Sequence, residues 1–346
     1  MNIPGRGSTI NPGNRFEKLE VTLDEEYLHE AGRPRTIFYR DDSQSIISRN
    51  DSPDIGFNVS VNPYRGCEHG CSYCYARPTH EYLGFSAGLE FETRIMVKPD
   101  APGLLRKELS SPKWEPQFLA MSGVTDCYQP IEKKLEITRS CLKVLLDFRN
   151  PVGIVTKNYL VTRDIDILSE LAKFDAATVY VTITTLDAGL AWKLEPRAAS
   201  PSHRLDAIRQ LSEAGIPVGV LMAPIIPGLT DHEIPNVLQA AKASGACRAG
   251  YTMIRLPYGV KDVFAAWLEE HLPQSRDKIL ERIRDLRGGE LNNSRFGERM
   301  RGQGIWAEQI KQMFSVSLAR EGLNQRHYEL STAHFRNPED RQMRLF

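Results

Sequence analysis

Six short runs of β-forming residues alternate with amphipathic segments through the middle of this chain, and that alternation restricts the fold more than any other feature. The runs are Phe57 to Val61, Phe118 to Met121, Gly153 to Thr156, Thr178 to Ile183, Val218 to Met222 and Tyr251 to Ile254. Between them, Ile131, Leu135, Thr138, Leu142 and Leu145 recur on one helical face, as do Leu205, Ile208 and Leu211, the pattern of helices with one buried side. Ser200-Pro201 reads as the cap and first turn of the second helix, and Gly215 before Pro217 as its stop. Gly245 closes a further helix carrying Ile234, Val237, Leu238 and Ala241 in the same way. Strands that alternate with helices signal a parallel sheet with helical crossovers. The expected fold class is therefore α/β: a partial (β/α)6 barrel of the TIM type over residues 51–260. An irregular N-terminal arm, residues 1–50, precedes it, and a mostly helical C-terminal extension, residues 261–346, follows.

Chemistry in such a barrel sits in the loops after the strand carboxyl ends. The first of these loops reads Gly66-Cys67-Glu68-His69-Gly70-Cys71-Ser72-Tyr73-Cys74. Three thiolates at this spacing, Cys67, Cys71 and Cys74, can hold three irons of a [4Fe–4S] cluster and leave the fourth iron open to a substrate or cofactor. A structural zinc centre needs four closed ligands, usually two Cys pairs or a Cys pair with a His pair. No second pair accompanies this loop, and His69 reads as a solvated residue or a donor behind a ligand. Zinc and unligated thiols are the alternatives.

The 346 residues carry 44 basic and 44 acidic side chains, so net charge points neither toward nor away from nucleic acid. There is no apolar stretch of signal-peptide or membrane-spanning length. A cytoplasmic protein with no membrane partner is expected, and a reducing compartment suits a cluster better than a disulfide framework. Arginine is dense from Arg287 to Arg301, which reads as a solvated cap or as a basic surface for a phosphate-bearing substrate.

Beyond the cysteines, residues 57 to 256 resemble the radical S-adenosylmethionine (SAM) superfamily, and within it the spore photoproduct lyase-like, or DNA repair photolyase-like, branch. The resemblance rests on Cys67, Cys71 and Cys74-Tyr75, Thr125-Asp126 with Ile131-Glu132, Thr156-Lys157, Val181 to Thr184, Leu194-Glu195-Pro196 leading to His203-Arg204, and Ala223-Pro224-Ile225. Asn62 to Cys71, Ala76 to His80 and Tyr128-Gln129-Pro130 are similar to an uncharacterised group of that branch. The resemblance implies reductive cleavage of SAM to a 5′-deoxyadenosyl radical that abstracts hydrogen from a nucleic acid or nucleotide-containing substrate. The same chemistry on a protein or small molecule, and a non-catalytic metal-binding module, are the other readings.

The resemblance also implies site roles. Lys157 pairs with the SAM carboxylate, Thr182 supplies a hydroxyl, and Ser122-Gly123 lets backbone approach the amino group. Tyr73 packs beside the cluster, Tyr75 lies near the sulfonium, and Glu195 and Arg204 contact SAM or pair with each other. Spore photoproduct lyases place a hydrogen-donating cysteine where Gly123 stands here, so thymine-dimer repair is not expected. Cys127 is the substitute donor or a small buried hydrophobe. Asp126, Tyr128 and His80 are candidates for substrate contact or proton handling. A reductant such as flavodoxin or ferredoxin is implied, and the terminal Gln342, Leu345 and Phe346 resemble a sliding-clamp peptide.

Overall fold

The structure is a computed structural model that describes residues 3–17, 34–325 and 329–339. Its main sheet holds β2 (Ile47–Arg49), β3 (Val59–Val61), β6 (Leu119–Met121), β7 (Val152–Thr156), β8 (Ala177–Thr182), β9 (Val218–Ile225) and β10 (Arg248–Met253), adjacent in that order. The six from β3 to β10 run parallel, and β2 pairs antiparallel with β3 at the edge. These six strands fall on the six runs expected from the sequence. Each is followed by a helix before the next: Ala101–Leu109, Ile137–Phe148, Ile165–Ala172, Pro201–Glu213, Ile234–Ala243 and Val260–His271. The result is the partial (β/α)6 barrel.

The core explains the register. Val59, Leu119, Val152, Ile154, Val179, Val181 and Val220 are fully buried, as a sheet covered by helices requires. Helix ends follow local chemistry: Ser200 Oγ accepts from His203 N, and Gly215 takes the left-handed φ of +76° that ends the same helix. Helices Arg276–Leu286 and Gly304–Arg320 lie in the C-terminal extension, with Leu286, Ile310 and Phe314 joining the barrel core.

Within the arm, β1 (Ile37–Arg40) pairs in parallel with β5 (Arg94–Val97), which also pairs with β4 (Tyr64–Arg65). All four β1 side chains are exposed, so no alternation marks the strand in the sequence. The segment before it lies along the cysteine loop. Gly7 N donates to Glu92 Oε2 and Leu89 N to Ile10 O, and a Cβ at Gly7 would come within 1.5 Å of Gly70 O. The clamp-like Gln342, Leu345 and Phe346 lie outside the described residues. Among the described residues no helix is long and apolar enough to cross a membrane.

Candidate active site

The cysteine loop leaves the carboxyl end of β3, where the parallel strands open, and its backbone is pinned at several points. Gly66 sits at φ +79°, and a Cβ there would meet His80 Cε1, Phe91 O and Ile95 Cδ1 at 2.8–3.0 Å, so only glycine fits. Cys67 N donates to Phe91 O at 3.1 Å and Ser72 N to Leu194 O at 3.0 Å. Gln129 takes Glu68 N on its Oε1 and gives Nε2 to Gly66 O. Arg77, fully buried, donates twice to Cys71 O, once to Gly88 O, and pairs with buried Glu92 at 2.5 Å.

Cys67 and Cys71 are buried and Cys74 half-buried, packed against the apolar groups that hold the other two. Burial pushes the Cys71 and Cys74 thiols up, while Lys157 draws both down and Arg77 draws Cys74 down. Three soft sulfur donors in one buried loop fit an iron–sulfur cluster, whose cationic irons would replace the solvation that burial removes. Among the described residues no three His, Cys, Asp or Glu side chains converge on a single-ion site. A cluster carries its three thiolates on separate irons and needs no such convergence.

Asp126 joins the loops after β3, β6 and β7. It accepts from Lys157 N at 2.8 Å, Tyr128 N at 2.9 Å and Thr156 Oγ1 at 2.8 Å, and lies 3.4 Å from His69 Nδ1. Burial alone would raise its carboxyl, but His69 and the two amides outweigh that and hold it below its ordinary value. His69 is buried, not solvated, and its Nε2 lies 3.1 Å from Asn158 Nδ2. Burial opposes its imidazolium, yet Asp126 and Cys67 lift it to about 10.

Glu195 organises the far side of the mouth. It receives the Tyr73 hydroxyl and an Arg204 guanidinium N–H, accepts Thr184 Oγ1 at 2.8 Å, and lies 3.6 Å from Lys157 Nζ. Arg204 also donates to the Thr182 carbonyl at 3.1 Å. Tyr73, Lys157, Thr182, Glu195 and Arg204 are thus brought together at the ends of β7 and β8, with Glu195 and Arg204 paired to each other. Burial lowers Lys157 to about 8, and its Nζ donates to Ala223 O.

After β6, Ser122 adopts φ +75° and its Oγ accepts from Cys127 N at 2.9 Å. The Gly123 carbonyl accepts from Tyr75 Oη at 3.0 Å, and Tyr75 is 48% exposed. Ser122, Gly123 and Tyr75 therefore share the rim next to Cys74.

Three candidates stand elsewhere. Cys127 lies wholly in the apolar core, its carbonyl accepting from Thr138 Oγ1, because the Ser122 turn carries the chain inward. Tyr128 is fully buried and gives its hydroxyl to Asp164 Oδ2 at 3.0 Å. His80 is buried against Phe85 and Phe91, with Nε2 2.7 Å from Arg94 O. All three are buried, and the hydrogen bonds above are made to the protein's own frame, as a bracing role requires. Conversely, Arg77, Gln129 and Arg255 belong to the site or its frame without any role assigned from the sequence. A single Arg or Gln has no period, and only its partners reveal its role.

The fold and the cysteine loop agree with comparisons to known proteins. Residues 61–241, from the end of β3 to the helix after β9, match the Radical SAM superfamily. An uncharacterised protein of Mycobacterium tuberculosis is 33% identical over 234 residues, covering 67% of this chain and 68% of its own. The radical SAM Nalpha-GlyT isomerase of Pseudomonas phage M6 is 24% identical over 203 residues, covering 58% of this chain and 40% of its own. A spore photoproduct lyase mutant with bound AdoMet and dinucleoside spore photoproduct aligns with a TM-score of 0.57 at 17% identity. It covers 83% of this chain and 80% of that chain, a likeness of fold. With a match across more than half its length, this chain belongs to the radical SAM superfamily and is an enzyme of that family.

Proposed function

We propose that this enzyme abstracts hydrogen from a nucleic acid or nucleotide-containing substrate. Cys67, Cys71 and Cys74 would hold a [4Fe–4S] cluster, and Tyr75, Ser122, Gly123 and Lys157 would line the SAM site beside it. Once bound, the two cofactors supply one electron, from an external reductant, and a 5′-deoxyadenosyl radical. The protein's part is to orient and to exclude water. The observation that carries the proposal is the placement of three thiols in one loop at the carboxyl end of the first parallel strand, tied by Tyr75 Oη to the Gly123 carbonyl after the next.

Substrate class is supported by a solved structure of similar fold rather than by net charge. The lyase of similar fold holds a dinucleoside spore photoproduct. Gly123 separates this chain from lyase chemistry: a Cβ there would stand 3.1 Å from Ser60 Cβ, so a cysteine donor at this position requires its neighbours to shift. Retention of the anaerobically reconstituted enzyme on DNA or RNA, weakening steeply with salt, is the expected result. Retention on neither, with turnover on a peptide or small molecule, refutes the substrate class.

A further inference from the structure

Arg255 follows Ile254 just past β10, at the carboxyl end of the sixth parallel strand. Its guanidinium lies over the Tyr75 ring, 5.4 Å from the centroid, and Nη1 donates to Met300 Sδ at 3.5 Å. Nε is buried with no hydrogen-bond partner, and among the described residues no carboxylate lies within ion-pair distance of Arg255. The neighbouring acid, Asp54, is already taken by Arg299 Nε at 2.6 Å and Gly297 N at 2.7 Å. Leaving this one buried guanidinium N–H without an acceptor is costly, and an acceptor supplied by a ligand removes that cost.

The surroundings say which acceptor. Arg287 locks the loop of residues 293–302 over this strand end by donating to Met253 O, Glu298 O and Arg299 O. The loop presents Phe296, which is 60% exposed and has the Arg299 guanidinium over its ring, 4.5 Å from the centroid. Guanidinium beside exposed aromatic faces is the pairing that takes phosphate and base together. Burial and the nearby Arg299 both weigh against the charged form of Arg255, which an incoming anion would stabilise.

We propose that Arg255 binds a phosphodiester of the nucleic-acid substrate. This rests on the nucleic-acid reading above. The SAM carboxylate offers the same oxyanion chemistry, so the test measures both ligands. Arg255→Gln and Arg255→Lys holoenzymes are titrated with a fluorescein-labelled deoxyoligonucleotide, single-stranded and as its duplex, across a salt series, and separately with SAM. Arg255→Gln is expected to weaken oligonucleotide binding about tenfold and to make the salt slope shallower by about one. Arg255→Lys should keep the slope and lose part of the affinity, and SAM binding should stay within about twofold in both. Oligonucleotide binding unchanged in both variants, or a loss confined to SAM, overturns the inference. A wild-type enzyme that binds no oligonucleotide removes the nucleic-acid reading, and this inference with it.

Discussion

Arg77 and Glu92 form an ion pair at 2.5 Å with neither side chain exposed to solvent, and the same guanidinium holds the Cys71 carbonyl through two donors. The cysteine loop is thus fixed by a buried cation whose counter-charge also takes the Gly7 amide. Removing one partner leaves the other charged and unpaired. Glu92→Ala is expected to destabilise the apoprotein by about 3–5 kcal/mol in denaturant unfolding. A loss under about 1 kcal/mol would show that the pair does not brace the loop.

Gly66 carries the turn into that loop. Gly66→Ala must place a Cβ 2.8 Å from His80 Cε1 at a left-handed φ, so a loss of about 2 kcal/mol or more is expected. Iron incorporation should fall with it. Gly84, also left-handed but with open space around its Cβ, provides the control, and Gly84→Ala should cost about 1 kcal/mol.

The Tyr73 hydroxyl is given to Glu195, which separates a bracing role from a role in cofactor binding. Tyr73→Phe is expected to lower stability by about 1–2 kcal/mol while leaving SAM affinity within about twofold in equilibrium dialysis. A large loss of SAM affinity at unchanged stability would contradict the bracing role.

Burial lowers His80 from an ordinary value of 6.5 to about 4, so the folded state binds this proton less readily than the unfolded chain. Its contribution to stability is complete above about pH 6.5 and is lost as pH falls toward about 4, to a total of about 3 kcal/mol. In His80→Gln, which keeps a donor for Arg94 O, the stability curve should flatten across that window. Parallel wild-type and variant curves would refute it.

The barrel and its mouth were legible because their signals are local. Val59, Ile154 and Val218 sit in β-rich runs, and the cysteines follow the first of them. What was not legible depends on pairing across distance. Ile37 to Arg40 becomes a strand only through β5, and His69 is buried only because Asp126 arrives from another loop. Cys127 and Tyr128 stand next to Asp126 in sequence, but the Ser122 turn sends them into the core while Asp126 stays at the loops. Arg255 has meaning only once Tyr75 and residues 293–302 surround it.

The most direct test of the central claim is SAM cleavage by anaerobically reconstituted, reduced enzyme, with Cys71→Ala as control. The account predicts a brown protein that forms 5′-deoxyadenosine and a control that does not. A colourless protein whose metal is fully coordinated by its own side chains, with no 5′-deoxyadenosine formed, would contradict it.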